Sequence, residues 1–422
     1  MSSSSGSLIA QAQLAARQSD WATVVTLLHA LLVEDSAGGG APPERAIALE
    51  CAIQALSLSG DFQTQWDAAK LVPTFGTAAI APLTALLEDE QADLEARWFA
   101  ARILGELNDP TAIHALVTQL QSSEDEDLNQ MIAEALANLG TPAIAALTEL
   151  LQHPETRLFA VQALAQIPQP AIIEPLLSVV TDANPTLRAI ALESLSNFPD
   201  PRIPSVLVAG LQDPVATVRQ VAIAGLSRRS TPSSHGGATG GADAGAAVDR
   251  VALLANCLWD VNLSVCQRAA LALGKLGQDQ AVPHLERALC SPNTPLPLQL
   301  DLLRALSWIG SAIAIAPFKT VLTEPAIAYP APVYQELLHL LGRWQTADLK
   351  PTALHLLTLA LSQSPPIQAD PQLRRTVAIA MGELRLPEAH ASLTQLQADP
   401  DASVQLHATA ALNMITTPDT LS

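Results

Sequence analysis

Aromatic residues are scarce in this chain, at 3% of its 422 residues, although 49% of the residues are hydrophobic. The apolar content therefore consists mainly of alanine, leucine, isoleucine and valine. This composition suits closely packed helices better than a β-sandwich, which favours β-branched and aromatic side chains. The sequence thus predicts an all-α protein.

Basic residues are also scarce: 22 lysines and arginines stand against 41 aspartates and glutamates, for a net charge of −19. A surface of this sign repels phosphate backbones, so we expect no nucleic-acid partner. No window approaches about 18 uninterrupted apolar residues, so no membrane span is expected. No apolar run of signal-peptide type follows a basic stretch, and we expect a cytoplasmic protein.

Several chemical motifs are missing. Four cysteines do not make a disulfide framework. None of the nine histidines is followed by glutamate, which excludes the His-Glu dyads that some metal-dependent hydroxylases use as ligands. Cys-x-x-Cys, His-Glu-x-x-His, Walker-type and Gly-x-Ser-x-Gly motifs are absent as well. We therefore expect no catalytic residue and no metal site, and an enzyme is the less favoured interpretation.

A repeat is present instead. Apolar residues recur at helical spacing and end in a leucine, methionine or valine followed by a small residue, which we name the anchor. The anchors recur with a period near 31 residues, the length of one helical hairpin. Each hairpin is predicted to have a helix A after the anchor and a helix B that contains the next anchor. The anchors are Pro73, Gly105, Ala137, Ala165, Ser196, Ser227, Gly274, Ser307, Gly342, Gly382 and Asn413.

This array predicts an α-solenoid of about eleven helical hairpins, an armadillo-like superhelix. Ser364 to Pro371 is rich in proline and is predicted to be a loop. The predicted segments are atypical N-terminal capping helices at 1–60, the first half of the repeats at 61–228, a flexible Gly/Ser/Ala-rich loop at 229–248, the second half at 249–416 and a tail at 417–422.

The stretch Leu273-Gly-Lys-Leu-Gly-Gln-Asp-Gln-Ala-Val-Pro-His-Leu285 joins an anchor to a turn and the next A helix. This pattern resembles HEAT repeats, and in particular the phycobilisome-lyase-type HEAT-like repeat. Gly60 to Leu107 is similar to a family of largely uncharacterised cyanobacterial HEAT proteins. The resemblance covers about Phe62 to Ile415. It implies a fold rather than one function, because such repeats occur in phycobilin lyase subunits, antenna-degradation factors, iron–sulfur maturation factors and scaffolds.

Arginine recurs eight residues before the anchor in several predicted B helices. These arginines are Arg97, Arg157, Arg188, Arg219 and Arg374. They could form an anion-binding ladder. We favour a structural interpretation, in which each guanidinium pairs with a turn aspartate such as Asp182, Asp213 or Asp399.

Cysteines take related places in two successive repeats. Cys257 and Cys290 each lie 17 residues before an anchor, and Cys266 stands where other repeats have arginine. Three thiols on one edge would suit a soft metal or a cluster. The favoured alternative is that each cysteine fills a gap between helices as a small apolar residue.

The residues three before and one after each anchor lie on one face of helix B. The resemblance implies that this face is the concave surface of the solenoid. In the first half the face carries acidic and amide side chains, and in the second half it is basic with a tryptophan. A basic patch with an aromatic ring can hold carboxylates and stack on a flat partner. The predicted binding residues are Arg228, Lys275, Arg304, Trp308, His339 and Arg343.

Three functions stay open. The first is a non-catalytic scaffold or assembly factor that grips another protein; the resemblance implies a phycobiliprotein or a lyase subunit as that partner. The second is a bilin lyase or bilin-handling chaperone, which would bind a bilin; apart from this possible bilin, we expect no cofactor. The third is a metal or iron–sulfur carrier that uses the three cysteines.

Overall fold

The chain is built from helices. This computed structural model describes residues 3–35, 42–228, 249–323 and 328–416, and every regular element within these ranges is a helix. The all-α prediction is therefore confirmed. The predicted loop at 229–248 and the predicted tail at 417–422 lie outside the described residues.

The chain divides into two compact units, unit 1 at Met1–Phe198 and unit 2 at Pro199–Ser422. The division falls one repeat before the predicted loop, whereas the predicted halves at 61–228 and 249–416 meet at that loop. These predicted ranges, and the capping helices at 1–60, stay predictions.

Unit 1 begins with two helices that pack on each other and continues as A–B hairpins from α3–α4 onward. Its helices are α1 Ser3–Arg17, α2 Trp21–Asp35, α3 Pro42–Leu58, α4 Phe62–Leu71, α5 Ile80–Glu88, α6 Leu94–Glu106, α7 Ile113–Ser122, α8 Glu126–Leu139, α9 Ile144–Leu150, α10 Arg157–Gln166, α11 Ile173–Leu177 and α12 Pro185–Leu195.

Unit 2 continues the hairpins to the pair α24–α25, which gives the predicted total of about eleven. Its helices are α13 Ile203–Gly210, α14 Ala216–Arg228, α15 Arg250–Asn256, α16 Leu263–Leu276, α17 Val282–Leu289, α18 Leu296–Ile309, α19 Ala316–Thr323, α20 Ala331–Gly342, α21 Lys350–Gln363, α22 Pro365–Ala369, α23 Pro371–Leu384, α24 His390–Leu396 and α25 Ala402–Thr416.

A short 3-10 turn leads into many of the A helices, and proline often starts it. At Pro110–Ala112 the Asp109 side chain accepts a hydrogen bond from the Thr111 amide, which satisfies one free donor of the helix start. The 3-10 segments are Val72–Ala79, Pro110–Ala112, Thr141–Ala143, Pro170–Ile172, Cys257–Trp259, Asp279–Ala281, Ala347–Leu349 and Pro387–Ala389.

The anchors are small because consecutive B helices touch there. A Cβ added to Gly105 would lie 2.6 Å from the Ala135 Cα, and one added to Gly274 would lie 2.6 Å from the Ala305 Cα. Both alanines stand two residues before the next anchor, so the same register repeats along the B helices. Larger anchors would force these helices apart.

The Pro-rich stretch from Ser364 to Pro371 was expected to be a loop, and this prediction is wrong. Residues Pro365–Ala369 form the short helix α22. Proline at the first helical position needs no backbone donor and already has a helical φ angle, so the two prolines open the helix rather than prevent it.

Among the described residues, the stretch Phe62–Glu88 is long and apolar enough to cross a membrane by length and composition. A second would qualify only if Glu126–Leu139 and Thr141–Leu150, which bend by 118°, were one span. The first stretch is broken at Gly76, which has φ 62° and ψ −141°. Core helices pass the same test, so it is weak evidence for a span.

Gly105→Ala tests the anchor packing. We expect it to lower the free energy of unfolding by about 1–3 kcal/mol, as overpacked cores do, although alanine is the better helix former. The measurement is urea denaturation followed by far-UV circular dichroism. Gly6→Ala in α1 is the control, because its new methyl group meets nothing closer than the Glu44 Oε1 at 3.6 Å. Equal midpoints for the two variants would contradict the packing role.

Candidate functional site

The six predicted binding residues lie on consecutive B helices of unit 2. Arg228 ends α14, Lys275 lies on α16, Arg304 and Trp308 lie on α18, and His339 and Arg343 lie at the end of α20. We name their shared side the B-helix face. Lys275, Arg343 and Arg228 are exposed, Arg304 and His339 are half-buried, and Trp308 is 50% exposed. Their joint role in binding stays a prediction.

Arg304 is held by two carboxylates. Its Nε donates to the Glu336 Oε1 on α20 at 2.7 Å, and its Nη1 lies 3.2 Å from the Asp301 Oδ1. The other Asp301 oxygen accepts from the Gln267 Nε2 on α16 at 2.6 Å. This chain of polar contacts connects α16, α18 and α20, and the Glu336 hydrogen bond raises the pKa of Arg304.

Arg343 also contacts a carboxylate, with its Nη2 3.3 Å from the Glu383 Oε1 on α23. The side chain is 68% exposed, so this ion pair contributes little and leaves the guanidinium accessible. The B-helix face is therefore less basic than the sequence stripe suggests, because acidic side chains from neighbouring turns of the same helices lie among the cations. Its distinctive feature is the half-exposed Trp308, one helical turn after Arg304 on α18.

The arginines eight residues before the anchors have a different role. In each case the side chain donates to a main-chain carbonyl in the preceding A–B turn, six residues earlier for most of them. Arg219 donates from Nη1 to the Asp213 carbonyl at 2.8 Å, and Arg374 donates from Nη1 to the Gln368 carbonyl at 2.6 Å. The guanidinium thus satisfies carbonyls that the end of a helix leaves free. We name this row of contacts between A–B turns the seam.

The same guanidiniums reach the next repeat. Arg219 binds the Asp260 carboxylate with Nε at 2.8 Å and Nη2 at 2.6 Å, and Arg374 binds Asp399 at 2.7 and 2.9 Å. Arg157 lies 3.0 Å from the Asp182 carboxylate. The structural interpretation of these arginines is therefore confirmed for the three pairs. The hydrogen bond from Arg374 holds the pKa of Asp399 below its usual range, against the opposing effect of burial.

The three cysteines of unit 2 do not form a metal site in the described residues, which contain no group of three suitable ligands. Each thiol has its own contact: Cys266 Sγ donates to the Asp260 carbonyl at 3.2 Å, and Cys257 Sγ to the Leu253 carbonyl at 3.5 Å. Tyr329 donates to the Cys290 Sγ at 3.7 Å. Burial raises the pKa of Cys257 to about 11, which disfavours the thiolate that metals need.

An aromatic cluster in unit 1 was missed in the sequence. The Arg102 guanidinium lies 5.0 Å from the centre of the Trp66 ring and 5.9 Å from that of Trp98, and it pairs with Glu106 at 2.8 Å. Phe62 stacks on Trp66 and is 54% exposed. The signal was available: Trp66 and Trp98 both stand seven residues before an anchor, one helical turn before the stripe positions.

Parts of the chain are similar to known repeat families. Residues 80–158 and 144–227 match the model for HEAT repeats, and residues 265–289 match that for the PBS lyase HEAT-like repeat. These segments are HEAT repeats. No curated protein matches the sequence of the chain.

Among solved structures, Kap95p, described as inducing the switch loops of RanGDP to adopt the GTP-bound conformation, aligns with 98% of this chain at 12% identity and a TM-score of 0.55. The chain spans 59% of the length of Kap95p, and the likeness shows the helical-repeat fold alone. Human deoxyhypusine hydroxylase aligns with 68% of this chain and 98% of its own at 21% identity, but with a TM-score of 0.27.

Arg374→Ala tests the seam. It would leave the Asp399 carboxylate, 6% exposed, without its partner, and we expect a loss of about 3 kcal/mol of unfolding free energy. Arg202→Ala is the control, because Arg202 pairs with Asp200 while 50% exposed, and its loss should cost about 0–1 kcal/mol. Urea denaturation of the wild type and both variants measures the two losses of unfolding free energy. Similar losses would mean that burial adds nothing to the seam pair.

The seam should also respond to pH. The folded-state pKa of Asp399 is lowered, so its stabilising contribution is present above the unfolded pKa of about 4 and is lost as the pH falls through the folded value. The stability difference between the wild type and Asp399→Asn should therefore be constant near neutral pH and shrink below about pH 4. Asp348→Asn, at an exposed position, is the control. A difference that does not change with pH would contradict the ion pair.

Proposed function

We propose that this protein is a non-catalytic scaffold or assembly factor that binds another protein on the B-helix face of unit 2. The observation that supports this most is Trp308, which is half exposed on α18 one helical turn after Arg304. Aromatic and arginine side chains are the usual anchors of protein interfaces. The Asp301 and Glu336 carboxylates hold Arg304 in place, so less side-chain freedom is lost on binding.

The partner we propose presents acidic side chains beside a flat or aromatic group. Lys275 and Arg343 are exposed cations on either side of Trp308, and they would pair with carboxylates. The resemblance to phycobilisome-lyase-type repeats makes a phycobiliprotein or a lyase subunit our candidate, in the cytoplasm and in phycobilisome biogenesis.

A bilin lyase or bilin-handling chaperone is the second candidate function. The same cations could hold the propionates of a tetrapyrrole while Trp308 stacks on its rings. The absorption spectrum of the protein purified from its source organism distinguishes the candidates, because a bound bilin absorbs visible red light and a scaffold does not. The third candidate, a metal or iron–sulfur carrier, has little support, because each cysteine thiol has a separate hydrogen bond.

The double variant Lys275→Ala/Trp308→Ala tests the scaffold. Both side chains are exposed, so we expect a helical, soluble protein whose affinity for its partner falls by about thirtyfold, the usual effect of losing an interface anchor. Partners are captured from extract of the source organism on immobilised wild type, identified by mass spectrometry, and titrated against the variant. Arg304 is left intact because its loss would leave the buried Asp301 carboxylate without a cation.

Ile313→Ala serves as the control, since Ile313 is 53% exposed but lies outside the predicted set. It should bind as the wild type does. A partner that binds the double variant and the wild type equally well would exclude the B-helix face as its site.

A further inference from the structure

The row of seam arginines is interrupted in the middle of unit 2. Eight residues before the anchor Gly274 the chain has Cys266, where the preceding repeat has Arg219. The acceptor changes as well. The Asp260 carboxylate accepts hydrogen bonds from Arg219, but the residue at the matching position of the next turn is Asn293. A charged pair is thus replaced by a neutral pair within an otherwise unchanged register.

The equivalence of Cys266 with the seam arginines is structural. The Cys266 Sγ donates to the carbonyl six residues earlier, at Asp260, as the Arg219 Nη1 does to Asp213. The B helices also keep their register, since Gly274 faces Ala305 as Gly105 faces Ala135. Cys266 therefore stands at the position of a seam arginine and contacts the matching carbonyl, but it supplies no guanidinium.

A cleft of about 350 Å³ opens above Cys266. It lies between the A–B turn at Asp260 and the next turn at Asn293, which is where a seam guanidinium would reach from one turn to the other. The residues lining it are Leu258, Trp259, Asp260, Val261, Leu263, Cys266, Ala288, Ser291, Asn293, Thr294, Pro295 and Leu298.

The acceptors that an arginine would use remain in this cleft. Arg219 donates to the carbonyls of Asp213 and Pro214, and the matching carbonyls here belong to Asp260 and Val261. Among the described residues, the Asp260 carbonyl accepts only from the Cys266 thiol, a weak donor. Within the described residues, no hydrogen bond is found to the Val261 carbonyl or to the Asn293 side chain.

A second cleft, of about 370 Å³, lies on the other side of Trp259 and Val261 and provides an internal comparison. Its lining includes Arg219, whose guanidinium is already bound to Asp260 and to the turn carbonyls. The two clefts share Trp259, Asp260 and Val261, but no arginine is among the described residues that line the one above Cys266. The difference is therefore chemical rather than one of size.

The shared wall is apolar and projects into solvent. Trp259 is 52% exposed and Val261 is 100% exposed, with Leu263 at the border. The Arg287 guanidinium lies 5.6 Å from the centre of the Trp259 ring, which shows that this ring accepts a guanidinium. Exposed apolar side chains of this kind, next to a cleft, are typical of protein contact sites.

We propose that the cleft above Cys266 receives an arginine side chain from a partner protein, in a segment that carries apolar residues beside that arginine. The guanidinium donates to the Asp260 and Val261 carbonyls and to the Asn293 side-chain oxygen, and the apolar neighbours cover Val261 and Leu263. This surface is at the A–B turns, so its test is independent of the B-helix face.

The probe is a fluorescein-labelled peptide with one arginine between two leucines, titrated by fluorescence anisotropy against the full chain. The reference peptide has citrulline, which is neutral and of nearly the same shape, in place of arginine. We expect the arginine peptide to bind at least about tenfold more tightly, as charge-assisted bonds require. Equal affinities would overturn the proposal. If N-acetylarginine amide competed as well as the unlabelled peptide does, the proposal of a protein partner would be overturned.

Two variants of the chain sharpen the test. Asn293→Asp restores the carboxylate that Asp260 supplies to Arg219, and it should tighten the arginine peptide, an effect that misfolding cannot produce. Asn256→Asp, across Trp259 on the second cleft, adds the same charge and should leave the affinity unchanged. Cys266→Arg/Asn293→Asp should occupy the Asp260 and Val261 carbonyls from within, as Arg219 occupies those of Asp213 and Pro214, and should raise the urea midpoint and abolish binding. The proposal would be overturned if Asn293→Asp and Asn256→Asp changed the affinity for the arginine peptide equally. It would also be overturned if the double variant still bound that peptide.

Discussion

The close approach of consecutive B helices at their anchors is the constraint on which the other features depend. With the Gly105 and Gly274 backbones in contact with alanines of the next helix, neighbouring B helices have one register. That register fixes where each other position lies. The residue eight before the anchor falls over the end of the preceding A helix, and the residues three before and one after it share the open side of the helix. One packing contact therefore determines both the seam and the B-helix face.

The charge of the protein is distributed unevenly. Unit 1 holds 24 acidic and 7 basic residues, a net charge of −17, whereas unit 2 holds 17 acidic and 15 basic residues, a net charge of −2. The cations of unit 2 are thus close to balanced by its own carboxylates, through pairs such as Arg219 with Asp260 and Arg304 with Glu336. Unit 2 can present individual guanidiniums for recognition, while unit 1 repels anions by its overall field.

The hairpin period, the small anchors and the Arg–Asp seam could be predicted because each depends on residues a fixed distance apart in sequence. The partner of Arg304 could not, because Glu336 lies 32 residues away on another helix and outside the stripe positions considered. The cluster of Phe62, Trp66 and Trp98 lies outside the stripe positions for a similar reason: the two tryptophans stand one helical turn before the stripe, and Phe62 stands one turn before Trp66. The prediction of a loop at α22 was wrong because proline breaks the interior of a helix but suits its first turn.

The middle of unit 2 uses its cations differently from the other repeats. Where α14 and α23 have seam arginines, α16, α18 and α20 have Cys266, Gln299 and Tyr334 at the same position. Gln299 is 7% exposed and its Oε1 lacks a hydrogen bond, so the seam is weakened there.

The same three helices carry Lys275, Arg304 and Arg343 on the B-helix face, and the contacts from Gln267 through Asp301 and Arg304 to Glu336 connect them there instead. In a repeat protein each element contacts mainly its neighbours, so such an exchange can be confined to a few repeats. Moving the inter-repeat contacts to the B-helix face leaves the turn edge at Cys266 without a guanidinium, and it gives that face the Arg304 guanidinium that Asp301 and Glu336 hold one helical turn before Trp308.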